Sequence, residues 1–407
     1  MKILLFSQHY PPDIGAHAFR MAALVKALLK KGHQVSAITT EPHRYDMEEK
    51  IPFKKYEKDK KLEIYRIKGG KHNDKFWRRP INYIIFMVNS LVFSLKLKNR
   101  ERYDLVFATS PPITSAVTAV ICAFFKKTKF ILEVRDLWPD TLVELKIFKN
   151  KLIITFLTYI EKLLYKRANS IIAISEDIKN RIISKGVNKD KVVVYTNGLD
   201  KEFILENMDI KRKSALRKKY KLPLTKTIIS YVGNIGISQA LKIMVKAAEK
   251  AGEDILFLIV GEGLEKKQLL KMREEKKLSK KIFFLNGMPR NKVVNIYQLS
   301  DILFLQLKNL NIFEGAIPSK IFEYLGSGVP IIYGLNGVGG EVLKKSGNGI
   351  KIRPESDEDL IEAINIVKNE YDLYIKKAKK GRDFVSKYYL REEIMNDYVK
   401  FIESSIK

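Results

Sequence analysis

In the stretch IPSKIFEYLGSGVP, residues 317–330, a lysine and a glutamate stand three positions apart, Lys320 and Glu323, just after Pro318 and Ser319. Pro318 suits the first position of a helix, where its missing N–H is no loss. The amides of Ser319 and Lys320 then lie at a helix N-terminus, where backbone donors favour an anion such as phosphate. The ammonium of Lys320 adds a full positive charge. Glu323, one turn on, would repel a phosphate, but its carboxylate suits a pair of sugar hydroxyls. Diphosphate plus ribose is a nucleotide. The competing explanation is an ordinary Lys–Glu pair on one helix face.

A second element points to the same ligand. YVGNIGISQALKIMVKAAEK, residues 231–250, reads as strand, glycine-rich turn and helix, and Gly233 and Gly236 permit close backbone approach to phosphates. These glycines do not make the G-x-G-x-x-G pattern, and no P-loop occurs, so NAD binding and ATP hydrolysis both recede. One cysteine, Cys122, excludes an internal disulfide and a cysteine-based zinc site. All five histidines (His9, His17, His33, His43, His72) fall in the first 72 residues, so the rest of the chain has no histidine base or cluster. Asp357–Glu358–Asp359 follows Ser356, and Ser356 with Asp359 reads as a capping box at a helix start rather than a divalent-ion site. No metal is implied.

These residues need a frame to hold them. With 407 residues and 46% hydrophobic content, the chain is long enough for two or three packed domains. Short apolar runs at 2–8, 34–40, 103–110, 129–134, 170–175 and 191–196 alternate with helical patterns. The rhythm restarts after DIKRKSALRKKYKLP, with runs at 226–233, 254–261, 281–287, 301–306, 329–334 and 348–352. Continuously apolar strands separated by helices predict parallel sheets covered on both faces, hence an α/β chain of two doubly wound domains. The expected division is 1–200, 201–380, and a helical tail, 381–407, that crosses back to the first domain. A ligand belongs at the carboxyl ends of such strands, which places it in a cleft between the domains.

The formal charge is +29, which fits nucleic acid or an anionic membrane surface as a partner. Residues 75–102 bracket an uncharged block, 81–95, with seven Lys or Arg against one Glu, and Trp77 and Tyr83 stand at one end. As a helix, fifteen residues cover about 22 Å, short of the ~30 Å of a bilayer's apolar core. KIFKNKLIITFLTYIEKLLYKR, residues 146–167, repeats the pattern. Apolar blocks flanked by cations fit a surface-lying anchor, while the plainer alternative for 81–95 is a buried core helix with solvated ends. Nucleic-acid binding would want exposed aromatics interleaved with the cations along a groove, so no nucleic acid is expected. The N-terminus, MKILLFSQHYPPD, is too short in its apolar part for a signal peptide, and no run reaches the length of a spanning helix. A cytoplasmic protein, peripheral on the inner face of the membrane, is the expectation.

Taken in order, SQHYPPDIGAHAFR, ATSPP, EVRDLWPD, YTNGLD, YVGNIGISQ, VGEG, PSKIFEYLGSGVPII and GNGIKI resemble the retaining glycosyltransferases of family four, which have the GT-B fold. More closely, the chain resembles the WbuB-like subgroup, which transfers amino-deoxy sugars to lipid-linked acceptors. By that resemblance Glu323 is the second glutamate of an E-x7-E motif and binds ribose, while the first position is Gly315, with Glu314 one residue off. The family's diphosphate-binding Arg and Lys correspond to Asn234 and Gln239, which leaves Lys320 to stabilise the leaving group. Gly15 would let the first loop approach the diphosphate from the opposite wall, and His17 and Arg20 either face the cleft or decorate the surface. Asp136 stands where many relatives put a histidine near the acceptor; it either accepts a hydrogen bond from the attacking hydroxyl or merely orders its loop. In NGMPR, residues 286–290, Met288 is expected over the base. The resemblance implies a UDP-sugar donor, a polyprenyl-diphosphate-linked sugar acceptor, surface-polysaccharide assembly (O-antigen or capsule), and no cofactor beyond the UDP-sugar co-substrate. A UDP-sugar 2-epimerase of the same fold, or a nucleic-acid-binding protein, are the alternatives.

Overall fold

The computed structural model describes residues 1–13, 15–42, 53–69, 79–97, 102–206 and 209–406. Trp77, His43, His72 and most of the cations expected around 81–95 lie outside the described residues. The chain separates into two compact units, Met1–Asn197 with Arg391–Lys407, and Gly198–Leu390.

In the first unit, β1 (Lys2–Phe6), β2 (Gln34–Thr40), β3 (Tyr56–Asp59), β4 (Leu62–Ile67), β5 (Leu105–Ser110), β6 (Lys129–Val134), β7 (Ser170–Ala173) and β8 (Val192–Val194) build one sheet in the order β3-β4-β2-β1-β5-β6-β7-β8. Every neighbour is parallel except β3 and β4, an antiparallel edge hairpin. That hairpin has no apolar-run signature, because YEKDKKLEIYRI carries charges on an open edge, which discourages pairing with other chains. The connecting helices are α1 (Ala16–Lys30), α2 (Arg79–Lys96), α3 (Ile113–Lys126), α4 (Asp140–Glu144), α5 (Lys151–Arg167) and α6 (Glu176–Ser184). Met21, Leu24, Val25 and Leu28 of α1 recur at helical spacing and are buried in one cluster with Ile3 and Leu5 of β1. Strand order reverses between β1 and β5, so the crevice of this sheet opens at their carboxyl ends.

The second unit repeats the plan with β9 (Thr227–Val232), β10 (Ile255–Val260), β11 (Ile282–Leu285), β12 (Ile302–Gln306), β13 (Ile331–Gly334) and β14 (Ile350–Lys351), ordered β11-β10-β9-β12-β13-β14 and parallel throughout. Its helices are α7 (Ile210–Lys219), α8 (Lys242–Lys250), α9 (Lys266–Glu275), α10 (Arg290–Leu299), α11 (Lys320–Ser327), α12 (Gly337–Ser346), α13 (Asp357–Asn369) and α14 (Tyr371–Tyr388). All six residues of β10, ILFLIV, are buried because helices cover both faces, with Leu325 and Tyr324 in one core cluster and Met244 and Val245 in the other. The reversal falls between β9 and β12; the loop after β9 carries Gly233 and Gly236, and the segment after β12 leads into α11, which carries Lys320 and Glu323. The acidic string 357–359 opens α13: the Ser356 hydroxyl accepts from the Asp359 amide at 3.2 Å, and Asp359 pairs with Arg353.

The chain returns to the first unit with α15 (Arg391–Ile406), whose Tyr398, Val399 and Ile402 are buried beside Leu24 and Leu28 of α1. The return starts at Arg391, not at 381. Gly381 keeps α14 in the second unit, because a Cβ there would lie 2.6 Å from Asn348 and 3.1 Å from Leu325, and Val385 joins that unit's core.

Candidate active site

The loop after β9 and the start of α11 meet in the second unit. Gly233 adopts φ 137°, a backbone conformation that favours glycine, and it lies so close to Lys320 that a Cβ there would fall 2.1 Å from the lysine Cε and 2.5 Å from Nζ. The ammonium hydrogen-bonds the Tyr231 hydroxyl and sits 4.2 Å from that ring's centroid. Among the described residues no carboxylate lies within ion-pair distance of it. Burial pushes Lys320 down to about 7, with the charge of Glu323 pulling the other way. An anion brought to this ammonium would restore its charge, which is the electrostatic condition for holding a phosphate.

Around it the loop is tied into a rigid turn. The Gln239 side-chain carbonyl accepts from the Gly236 amide at 3.1 Å and from the Asn234 side chain at 3.3 Å, and the Tyr231 hydroxyl donates to the Asn234 carbonyl at 2.7 Å. These neutral amides stand where the resemblance puts two cations. The turn is backed by the loop after β10, where a Cβ on Gly261 would lie 1.8 Å from the Gly233 carbonyl oxygen. Pro318 precedes the helix rather than occupying its first position: α11 begins at Lys320 with Ser319 as N-cap, and the Pro318 carbonyl accepts from the Ile321 amide at 3.0 Å. The tight first turn still leaves the opening amides without intrahelical acceptors.

Glu323 is not the partner of Lys320. Its Oε1 accepts from Arg290 Nη2 at 3.1 Å and its Oε2 from the Tyr297 hydroxyl at 2.8 Å. The plain helical Lys–Glu pair is therefore not the arrangement adopted. Arg290 and Tyr297 were missed by sequence reasoning, although seven residues is two helical turns and puts both on one face of α10. Met288, in the loop before α10, packs half-buried against the core rather than standing free. Glu314 is exposed, and its carbonyl accepts from the Val338 amide at 2.7 Å, so its backbone helps start α12.

Gly15 and Asp136 belong to the first unit. Gly15 is the N-cap of α1, following a loop in which His9 Nδ1 and Asp13 Oδ2 lie 2.8 Å apart and the His9 and His17 rings stack with centroids 6.3 Å apart. Arg20 neither faces a cleft nor decorates the surface, which corrects both expectations. It is 2% exposed, pairs with the fully buried Glu133 at 2.9 Å, and donates to the carbonyls of Tyr195 (2.7 Å) and Thr196 (2.8 Å). Asp136 follows β6 and accepts from the Thr141 hydroxyl at 2.7 Å. Burial pushes its carboxyl up to about 6 against the pull of Thr141 and the Leu137 amide. Just beyond, Lys185 pins Asp140 of α4 (2.8 Å) to the buried Glu161 of α5 (2.7 Å).

The same unit carries an outward apolar surface. α2 buries Phe86 with the polar Asn82, Ser90 and Ser94, and turns Ile81, Ile84, Val88, Val92 and Leu95 to solvent at 41–52% exposure. The plainer alternative, a buried core helix, is therefore not the arrangement adopted: small polar side chains let α2 lie close on α3, and the apolar stripe faces out. α3 also contacts α5, which exposes Leu152, Phe156 and Tyr159, while Phe124 and Phe125 stand exposed at the end of α3. Lys127, Lys149, Lys151, Lys162 and Lys166 are exposed on and around these helices. No helix among the described residues is long and apolar enough to cross a membrane.

Comparison with known proteins accounts for nearly the whole chain. Residues 18–203 match the family model described as Glycosyltransferase Family 4, and residues 212–384 match Glycosyl transferases group 1. The chain is 23% identical to the putative colanic acid biosynthesis glycosyl transferase WcaI of Escherichia coli, over 99% of this chain and 100% of that one. It is 25% identical to the chitobiosyldiphosphodolichol beta-mannosyltransferase of Debaryomyces hansenii, over 87% of this chain and 77% of that one. Among solved structures, Anabaena Alr3699/HepE in complex with UDP-glucose superposes with a TM-score of 0.75 at 15% identity, over 99% of this chain and 100% of that one. Two doubly wound parallel-sheet units, with one model covering most of each, establish that the chain is a glycosyltransferase enzyme and belongs to family four of the GT-B fold.

Proposed function

We propose that this enzyme is a retaining transferase that moves a sugar, an N-acetylated amino-deoxy sugar in our reading, from a UDP-sugar to a polyprenyl-diphosphate-linked acceptor in surface-polysaccharide assembly. The observation that carries the reading is the Lys320 ammonium, desolvated and without a carboxylate partner among the described residues, lying over Gly233. Glu323 lies one turn along the same helix. The relatives named for colanic acid biosynthesis and for mannosyl transfer to chitobiosyldiphosphodolichol support the acceptor class. The UDP and UDP-glucose complexes of the structural neighbour support the donor class. Family membership also favours transfer over the 2-epimerase alternative.

In this reading Lys320 and the amides of Ser319 and Lys320 neutralise the departing diphosphate, while Gly233, Asn234, Gly236 and Gln239 shape the turn that borders it. Glu323 receives the ribose hydroxyls and Met288 borders the base. On the first unit, Gly15 lets its loop approach a phosphate group, and Asp136 accepts a hydrogen bond from the acceptor hydroxyl. The enzyme positions two substrates and stabilises a leaving group; no covalent role for the protein, resident cofactor or metal ion is part of the proposal. The apolar faces of α2 and α5, ringed by lysines, rest on an anionic membrane at the cytoplasmic side, where a lipid-linked acceptor would be found.

Thermal-shift and calorimetric titration with UDP, GDP and dTDP tests the donor site, with UDP expected to bind most tightly. Absence of UDP binding would overturn the reading. Turnover unchanged by EDTA is expected for the metal-free mechanism.

A further inference from the structure

Both oxygens of the Glu323 carboxylate are gripped by one helix. Arg290, the first residue of α10, donates to Oε1, and Tyr297, two turns on, donates to Oε2. The guanidinium itself is held on its other side. Its Nη1 pairs with Asp200 and lies 3.2 Å from Glu202, and the group stacks 4.3 Å from the centroid of Phe203. Asp200 and Glu202 would alone occupy the arginine, yet its remaining edge is turned to Glu323. A carboxylate offers about four lone-pair sites, so one donor on each oxygen leaves one site on each for two further donors, the number that vicinal hydroxyls supply. With its two inner sites filled, the carboxylate cannot rotate away from that presentation.

We propose that Arg290 is the positioning residue for ribose recognition: it orients Glu323, with Tyr297 as the second support, so that the enzyme distinguishes a nucleoside diphosphate with both ribose hydroxyls from one without them. This rests on the reading that Glu323 meets the ribose. It goes further by assigning discrimination to a residue that touches neither phosphate nor sugar. A side chain that merely stapled α10 to α11 would support both kinds of ligand equally, and that difference makes the role measurable.

The experiment compares binding of UDP and 2′,3′-dideoxy-UDP by calorimetry to the full-length wild type, Arg290→Lys, Arg290→Gln and Tyr297→Phe, each checked by circular dichroism and thermal melting. Wild type is expected to favour UDP by about 10- to 100-fold, the range for hydrogen bonds to a charged group. In Arg290→Gln that preference should shrink to within about threefold through loss of UDP affinity alone, with dideoxy-UDP binding unchanged. Tyr297→Phe, which keeps the buried ring, should lose part of the preference, and Arg290→Lys should retain part. Should wild type discriminate and all three variants keep the full ratio, Arg290 is a staple and the proposal fails. Should wild type itself not discriminate, the ribose reading of Glu323 fails first, as Glu323→Gln with an unchanged ratio would confirm.

Discussion

Arg20 in the first unit and Lys320 in the second are both cations withdrawn from water, and the two are treated in opposite ways. Arg20 in the first unit is wholly compensated: Glu133 at 2.9 Å, two backbone carbonyls, and the Tyr398 hydroxyl donating to the same carboxylate at 3.1 Å. Lys320 in the second has a phenol oxygen, a ring face and a glycine for neighbours. Burying a charge costs several kcal/mol unless it is paired, so a fully paired cation marks architecture. A cation left short of a counter-charge, at a helix start beside a sheet's switch point, is where an anionic ligand is to be sought.

Breaking the compensated pair should have the largest effect. Arg20→Ala strands Glu133 without a counter-charge and is expected to cost about 3–5 kcal/mol of stability, measured by urea unfolding of the first unit's signal. Lys320→Ala should do the reverse, leaving stability unchanged or slightly higher while lowering kcat/KM for the UDP-sugar by about 100- to 1000-fold. Near-normal turnover in that variant would remove Lys320 from the leaving-group role.

The pH profile sharpens the same contrast. With Lys320 at about 7 in the free protein, UDP affinity should be highest below pH 7 and fall by up to about tenfold per unit above it, since the bound diphosphate needs the ammonium. The folded value lies below the unfolded one, so the unfolded chain binds the extra proton between about 7 and 10, and this group's contribution to stability rises with pH over that window. In its proposed role Asp136, at about 6, should set a rising limb, because the ionised carboxylate accepts the attacking hydroxyl's hydrogen bond more strongly than the neutral acid does. Activity is then confined to a narrow optimum near pH 6–7, and Lys320→Ala should abolish the falling limb of UDP binding. The smallest effect belongs to the outer surface. Phe156→Glu should lower partition onto anionic vesicles by roughly tenfold in a flotation assay, without changing UDP affinity. Equal flotation of the variant, or none by wild type at low salt, would remove the membrane-facing assignment.

Much of the frame was legible because doubly wound sheets write themselves as apolar runs between amphipathic helices, and every run of that kind corresponds to a strand. The β3–β4 hairpin escaped because an exposed edge strand has no buried face to demand apolar residues. The meeting of Gly233 and Lys320 was anticipated by types alone: a glycine turn after the first strand of a sheet and a cationic helix start are complementary whichever chain they occur in. The support of Glu323 was not. Arg290 in NGMPR reads as one more surface cation until α10 is rotated so that it and Tyr297 face α11. Arg20 misled for the mirror-image reason, since its carboxylate lies in β6, 113 residues away.

The amino-acid order by itself determined the succession of strands and helices, the two-unit plan and the residue types at the anion-seeking helix start, because periodicity, capping and glycine turns act over a few neighbouring residues. Tertiary structure alone decided which charges are satisfied: that Arg20 is locked in a core, that Lys320 is left wanting an anion, that α2 turns its apolar stripe outward, and that Arg290 and Tyr297 converge on one carboxylate. Those outcomes depend on partners far apart in the chain, and desolvation of a charge has no value until the fold has chosen what surrounds it.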